Sequence, residues 1–304
     1  MTGSGRARSA LASAVLVLFG GASYGMMAPV TKLAYAQGFT WQQTTFSQEF
    51  FGVVVFAVAL LVRCLWKRAA PQRMSAKQVL KLMGTGMCTC ATCILYTFSL
   101  SLLPVAAAIT MLFQFTWIGT VFQVVATRKP PAASQVFAAA VVIVGTVLGS
   151  GLVGLHDVAL DPVGLVCGLG SAVTCAAFMF LSSRVETAME PMQRGLVVCL
   201  GGVVLALFVC PDYLPSGVLV QGIAPYGLLL GLFAMFVPVW LFGLGTPALP
   251  AGLSSVLASA ELPCSLVLTW LMVGEGLSAL QVVGIVLILA GVVVSQLPAL
   301  RGKA

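Results

Sequence analysis

Long apolar stretches alternate with short, polar, proline-rich breaks along the whole chain. They fall at 10–31, 43–62, 78–100, 103–126, 132–152, 161–183, 192–210, 222–242, 249–273 and 279–297, spans 1 to 10 in chain order. Each is close to the roughly 20 residues that a helix needs to cross a bilayer. The breaks include Arg128-Lys129-Pro130-Pro131, Asp161-Pro162, Glu190-Pro191, Pro211-Asp212 and Pro247 to Pro250. A closed barrel would show short alternating segments instead, whereas these stretches are long and apolar all round. The pattern predicts an all-α membrane protein of ten transmembrane helices.

Composition agrees. Apolar residues make up 60% of the 304 positions and charged residues 8%, against about 25% charged in a soluble chain. No length remains for a soluble domain. The formal charge of +7 sits in particular loops, as a topology signal does, and no nucleic-acid partner is expected. Of the nine cysteines, Cys88, Cys90 and Cys93 share one span, and Cys167, Cys175, Cys199 and Cys264 lie in others. Cys90 and Cys93 have CxxC spacing without a second Cys or His pair, so they read as small hydrophobes. No metal or other cofactor is expected.

Lysine and arginine counts give the orientation. Arg6 and Arg8 precede span 1, and Arg63, Lys67, Arg68, Arg73, Lys77 and Lys81 follow span 2. Arg128 and Lys129 follow span 4, Arg184 and Arg194 follow span 6, and Arg301 and Lys303 end the chain; the alternate connections hold only Lys32. Both termini are therefore expected in the cytoplasm, in a multi-pass protein of the cytoplasmic (inner) membrane. The loop after span 8 departs from the pattern, with no basic residue. Arg6 and Arg8 ahead of Leu11 to Phe19 also resemble a secretory leader. The apolar run continues through Tyr24, Met26, Met27 and Val30, with no A-x-A before Tyr24, which favours an uncleaved first helix.

Shifted by 146 residues, spans 4 and 5 fall on spans 9 and 10. Leu103-Pro104 meets Leu249-Pro250, Gln135-Val136 meets Gln281-Val282, and Gly145 meets Gly291. Spans 1 and 6 match through small residues only. The expected organisation is a cytoplasmic tail at 1–9, a first five-helix repeat at 10–152, a second at 155–297 and a tail at 298–304. Because five is odd, the second copy enters the membrane from the opposite side. Two inverted repeats of this kind are a signature of secondary transporters.

The end of the second half resembles a known pattern. Pro263, Val273-Gly274-Glu275-Gly276-Leu277, Gln281-Val282-Val283-Gly284 and Ile285 to Gly291-Val292 are similar to the closing segment of EamA domains, of the drug/metabolite transporter superfamily. The first half carries a worn version from Pro104 to Val125, then Ser134-Gln135 and Gly145, with Lys129 where Glu275 stands. The resemblance implies secondary transport of a small solute such as an amino acid, metabolite or drug. It further implies a central cavity lined by the first four helices of each repeat, with spans 5 and 10 peripheral. Many members have an arginine early in the second helix; this chain has Ser47-Gln48-Glu49 there.

Ionisable groups inside spans are the candidate functional residues. Glu261 lies about 18 Å from either end of span 9 at 1.5 Å per residue, near the midplane. Ser254, Ala258 and Ser265 share its face. Pro263 removes an amide donor, frees the carbonyl of Ser259 and predicts a kink. In the aligned repeat, Gln114 lies one residue from the equivalent of Glu261, on a face with Thr110 and Trp117. Amide and carboxylate are therefore expected at one cavity, as substrate- or proton-binding groups. The competing reading is a Glu261 that only hydrogen-bonds a neighbouring helix. Glu49, on a face with Gln42 and Thr45, is a second candidate, with snorkelling to its helix end as the rival. Tyr24, Tyr96 and Trp240 are candidate cavity aromatics. Tyr24 stands out, with Gly20, Gly21 and Gly25 around it and Pro29 placed to kink span 1. Glu275 falls at a membrane boundary and reads as a structural cap. His156, beside Asp157, reads as a solvated loop residue. Gly145 and Gly149 read as helix packing, within the bundle or between two copies in a homodimer.

The residues favour a secondary transporter, an exporter or exchanger of a small metabolite, in which Glu261 exchanges a proton for substrate. An enzyme would need a nucleophile with its base or a metal cluster; one histidine and no HExxH or G-x-S-x-G argue against it. A channel or a non-transporting sensor or scaffold is the alternative. The expected partners are the small-molecule substrate and membrane lipid.

Overall fold

The computed structural model describes residues 3–67, 72–128, 130–131, 133–150, 160–182, 185–186, 189–245 and 257–301. It is 84% helix, with no strand among the described residues. Span 1 comprises α1 (Gly3–Tyr24) and α2 (Met27–Ala36), span 2 is α3 (Trp41–Lys67), and span 3 is α4 (Ala76–Leu102). Span 4 comprises α5 (Val105–Leu112) and α6 (Phe115–Thr127), and span 5 is α7 (Ala133–Gly149). In the second half, α8 (Pro162–Ser182) and α9 (Pro191–Val209) are spans 6 and 7. Span 8 is composite: π-helical turns Leu219–Ile223 and Gly231–Phe236 alternate with α10 (Ala224–Leu230) and α11 (Val237–Gly245). It begins ahead of the expected residue 222, and the backbone leaves helical geometry at Gly222, φ 107°, inside the first of these turns. Of span 9, the start at 249–256 with Ser254 lies outside the described residues; α12 (Glu261–Val273) is its later part. Span 10 is α13 (Ala279–Arg301). His156, Asp157 and Lys129 also lie outside the described residues.

Among the described residues, seven stretches are long and apolar enough to cross a membrane: Leu11–Ala36, Trp41–Trp66, Ala76–Leu102, Val105–Ala126, Pro162–Ser182, Pro191–Val209 and Leu219–Phe242. The apolar helices Val136–Gly149, Glu261–Val273 and Ala279–Val294 are shorter. Burial is inverted relative to a soluble protein. Leu65, Trp66, Phe208 and Val220 are exposed, while Thr31, Ser47, Gln48 and Glu49 are buried. The chain is a multi-pass membrane protein.

The main packing pairs are unchanged when the halves are exchanged. α7 lies along α13 and α3 along α9, each a pairing of equivalent spans. The other pairs come in twos. α4 packs on α8 as α11 packs on α1, and α4 packs on α9 as α10 packs on α3. α5 and α6 pack on α8 as α12 packs on α1 and α2.

Glycines set the crossing of α7 and α13. A Cβ on Gly145 would stand 2.8 Å from the Gly284 carbonyl oxygen, and one on Gly291 would stand 3.2 Å from that of Ala138. The 146-residue shift turns Gly145 into Gly291 and Ala138 into Gly284, so the two contacts are images of each other. Gly149 also lies against Gly284. The small face of α7 is therefore filled by the chain's own α13 and is not open to a second copy. This removes the intermolecular reading of Gly145 and Gly149.

Polar contacts tie the halves together at the two ends of the bundle. At one end the Lys32 ammonium lies 3.5 Å from a Glu275 carboxylate oxygen and donates to the Leu103 carbonyl at 2.8 Å. The other Glu275 oxygen accepts from the Val105 amide at 2.8 Å. That amide opens α5, whose N-cap Pro104 has no side-chain acceptor, so Glu275 supplies the missing cap from the other half. At the opposite end, the connection from α8 to α9 holds the first half. Arg63 pairs with Glu190 at 3.0 Å, and Gln78 donates to Glu186 at 2.8 Å.

Candidate functional site

The irregular backbone gathers in spans 1, 4, 8 and 9. Span 1 breaks at Gly25 and Met26, just ahead of Pro29, which has no amide to return a bond to Gly25. Span 9 breaks at Ser259 and Ala260, four residues before Pro263. Span 4 breaks at Phe113 and Gln114 without a proline. The 146-residue shift carries this break onto that of span 9. It also carries the bonds. Gln114 N–H to Met111 O becomes Ala260 N–H to Leu257 O; Thr116 N–H to Phe113 O becomes Leu262 N–H to Ser259 O; Ile118 N–H to Gln114 O becomes Cys264 N–H to Ala260 O. Each of the six measures 3.2 or 3.3 Å.

The Ser259 carbonyl that Pro263 leaves without its helical partner is thus taken by Leu262 and is not open to a ligand. An unpaired backbone group in a bilayer costs several kcal/mol by order of magnitude, so the turn tightens to satisfy it. Ser259 itself is buried in the break.

Glu261 opens α12 directly after the break and is half-buried. The Tyr24, Tyr96 and Cys175 side chains, from spans 1, 3 and 6, are its electrostatic neighbours. Span 1 reaches it through glycine. A Cβ on Gly21 would overlap the Ala258 carbonyl, and one on Gly25 would stand 2.8 Å from the Ser265 amide. Beside Tyr24, the Ser23 hydroxyl donates to the Phe233 carbonyl at 2.7 Å, inside the π-turn of span 8. Such turns leave carbonyls off the regular ladder and recur at functional sites.

Glu49 does not snorkel. Its residue is fully buried, and neither carboxylate oxygen has a hydrogen-bond partner. A Cβ on Gly202 would overlap that carboxylate, and the thiols of Cys90, Cys93 and Cys199 are its electrostatic neighbours. Its expected face-mate Thr45 bonds Thr97 at 2.6 Å. Cys93 and Cys199 are also electrostatic neighbours of Tyr24, so the surroundings of Glu49 and those of Tyr24 share two thiols.

Gln114 has hydrogen-bond partners of its own within span 4 and on α7. Its amide nitrogen donates to the Thr110 carbonyl at 3.2 Å and to the Thr146 hydroxyl, and its oxygen accepts from the Trp117 indole at 2.8 Å. Thr110 in turn donates to the Ala107 carbonyl at 2.9 Å. Gln114, Thr110 and Trp117 hold the break in span 4 and anchor it to α7. Sequence reasoning missed Ser23, Cys175, Thr31 and Thr269; the four-residue spacing of Glu261, Ser265 and Thr269 was the available signal.

Residues 162–296, α8 to most of α13, match the EamA-like transporter family. This segment is similar to EamA-like domains, a family of membrane transporters within the drug/metabolite transporter superfamily. No curated protein matches the chain. A solved structure titled only "Crystal structure of protein" aligns over 100% of both chains, at 17% identity and a TM-score of 0.59. That likeness concerns the fold alone. The EamA-like match begins at Pro162, the first residue of α8, and includes Glu261, Pro263 and Glu275.

Proposed function

We propose that the chain is a secondary active transporter, an exporter or exchanger of an amino acid or similar small metabolite across the cytoplasmic membrane. Ten helices form two inverted five-helix repeats with both termini in the cytoplasm. The observation that carries this reading is Glu261, placed at a helix break whose bonds recur at the equivalent break of span 4. Broken helices beside a midplane carboxylate are how many transporters build a site. Glu261 with Tyr24 and Tyr96 suits an ammonium group, by charge and by cation–π attraction. Without an ammonium, the same carboxylate holds a proton, which couples the two fluxes.

Alternating access follows from the exchangeable packing. One repeat rocks on the other along the α3–α9 and α7–α13 seams. The Lys32–Glu275 contacts close one end, and the Glu186 and Glu190 contacts close the other.

The test is counterflow in proteoliposomes, each preloaded with one amino acid or small metabolite, comparing wild type with Glu261→Gln. Specific exchange by wild type that the variant loses, or performs without pH dependence, is the expected result. Exchange that ignores the substitution would overturn the role of Glu261. Ion conduction without saturable exchange would favour a channel.

A further inference from the structure

Three buried hydroxyls near Glu261 have no hydrogen-bond partner: Ser265 Oγ and Thr269 Oγ1 on α12, and Thr31 Oγ1 on α2. Their residues are 1%, 2% and 0% exposed. This is unusual inside a helix. Thr97, Thr110 and Thr146 each donate to a carbonyl of their own helix three or four residues back. Ser265 and Thr269 follow Glu261 at four-residue steps, so the three lie on one face of α12, about 6 Å apart along the axis.

That face meets span 1. α12 packs on both α1 and α2, with Gly21 against Ala258 and Gly25 against Ser265. The two contacts differ in offset, 237 and 240 residues, and these carry Thr269 to Lys32 and Pro29, the two ends of the stretch of α2 that holds Thr31. Tyr96 runs alongside, an electrostatic neighbour of both Glu261 and Glu275. The row starts at Glu261, beside Tyr24 and Cys175, and ends where Lys32 meets Glu275. Tyr35 of α2, an electrostatic neighbour of Tyr96, and Cys264 of α12, beside Gly25, are the other titratable groups along it.

A buried hydroxyl is satisfied by protein or by water. We propose that Ser265, Thr269 and Thr31 line a hydrated passage from Glu261 to the Lys32–Glu275 end of the bundle. Water fills it, and protons reach or leave Glu261 along it from that face. The proton's role rests on Glu261 as the transport site; the passage itself does not.

The test reads the passage directly. Thr269→Cys is treated in oriented membrane vesicles with an impermeant cationic thiol reagent, and adducts are counted by intact mass against the parent protein, whose own cysteines set the baseline. One additional adduct from the Lys32–Glu275 face and none from the other is expected. Val267→Cys, on an exposed apolar position of the same helix, should gain none. In parallel, Thr31→Val and Thr269→Val keep shape and remove the hydroxyl. Both should lower the melting temperature if the hydroxyls are wetted, and leave or raise it if they are dry. No additional adduct together with unmoved or raised melting temperatures would overturn the proposal, as would labelling from the opposite face alone. Labelling as expected with a Glu261→Gln protein that exchanges normally would instead sink the transport-site reading and leave the passage standing.

Discussion

Gly284 of α13 fits against Gly145 of α7 so closely that neither position has room for a side chain. In a bilayer no hydrophobic effect holds two apolar helices together, so close packing has to do it. Leucine at residue 284 would force the seam apart. Overpacking a filled contact costs about 1–3 kcal/mol. Gly284→Leu should therefore lower the melting temperature in detergent, with Gly284→Ala in between. Val283→Leu, on an exposed position next to it, should do neither.

Glu275 reaches across the halves to cap α5, and a lost cap costs about 1 kcal/mol. Glu275→Ala should lower stability by about that amount, and Glu275→Gln by less, because the amide oxygen still accepts from Val105. The Lys32 pairing is separable. In a double-mutant cycle with Lys32→Met, the coupling to Glu275→Ala should exceed that to Glu275→Gln. No coupling at all to Glu275→Gln would mean that the charge contributes nothing.

Gln114 separates structure from transport. Gln114→Leu leaves the Trp117 indole without its acceptor and Thr146 without its donor, at a cost of about 1–3 kcal/mol. Stability should fall by that order, while the substrate concentration giving half-maximal exchange stays unchanged. A shift in that concentration without a loss of stability would return Gln114 to the binding site.

Much of this was legible in the chain. Hydropathy places the membrane helices because a bilayer permits few alternatives. Pro263 marks its break because a missing amide acts locally. The break at Phe113 and Gln114 was invisible for the opposite reason. Trp117 has an amide, and the break is held by Thr110, Gln114 and Thr116 side chains competing for carbonyls, one through a partner on α7. The partners of Gln114 are not legible for the same cause, since packing between helices fixes them. For Glu49 the sequence leaves snorkelling open as a rival, because sequence distance to a helix end says nothing about Gly202 beside it.

Gly202 leaves the space that Glu49 occupies. Gly202→Ala should cost about 1–3 kcal/mol in wild type. It should cost much less in a Glu49→Ala background, where the colliding carboxylate is gone. Melting temperatures of the four proteins measure the difference. Additive costs would mean that Gly202 is held small by another neighbour.

Pro263 is the strongest candidate for a hinge. The equivalents of Gln114 and Thr116 are Ala260 and Leu262, which have no side-chain donors to hold carbonyls off the ladder. The break in span 9 therefore depends on Pro263, where that in span 4 depends on side chains. An interior proline costs a helix about 3 kcal/mol, so Pro263→Ala should favour a straight span 9. A bias of that size moves the balance between bent and straight forms by about two orders of magnitude. The variant should melt higher than wild type, with faster amide exchange lost at Ser259 to Leu262, while counterflow falls. A higher melting temperature with undiminished exchange would show that the bend is incidental to transport.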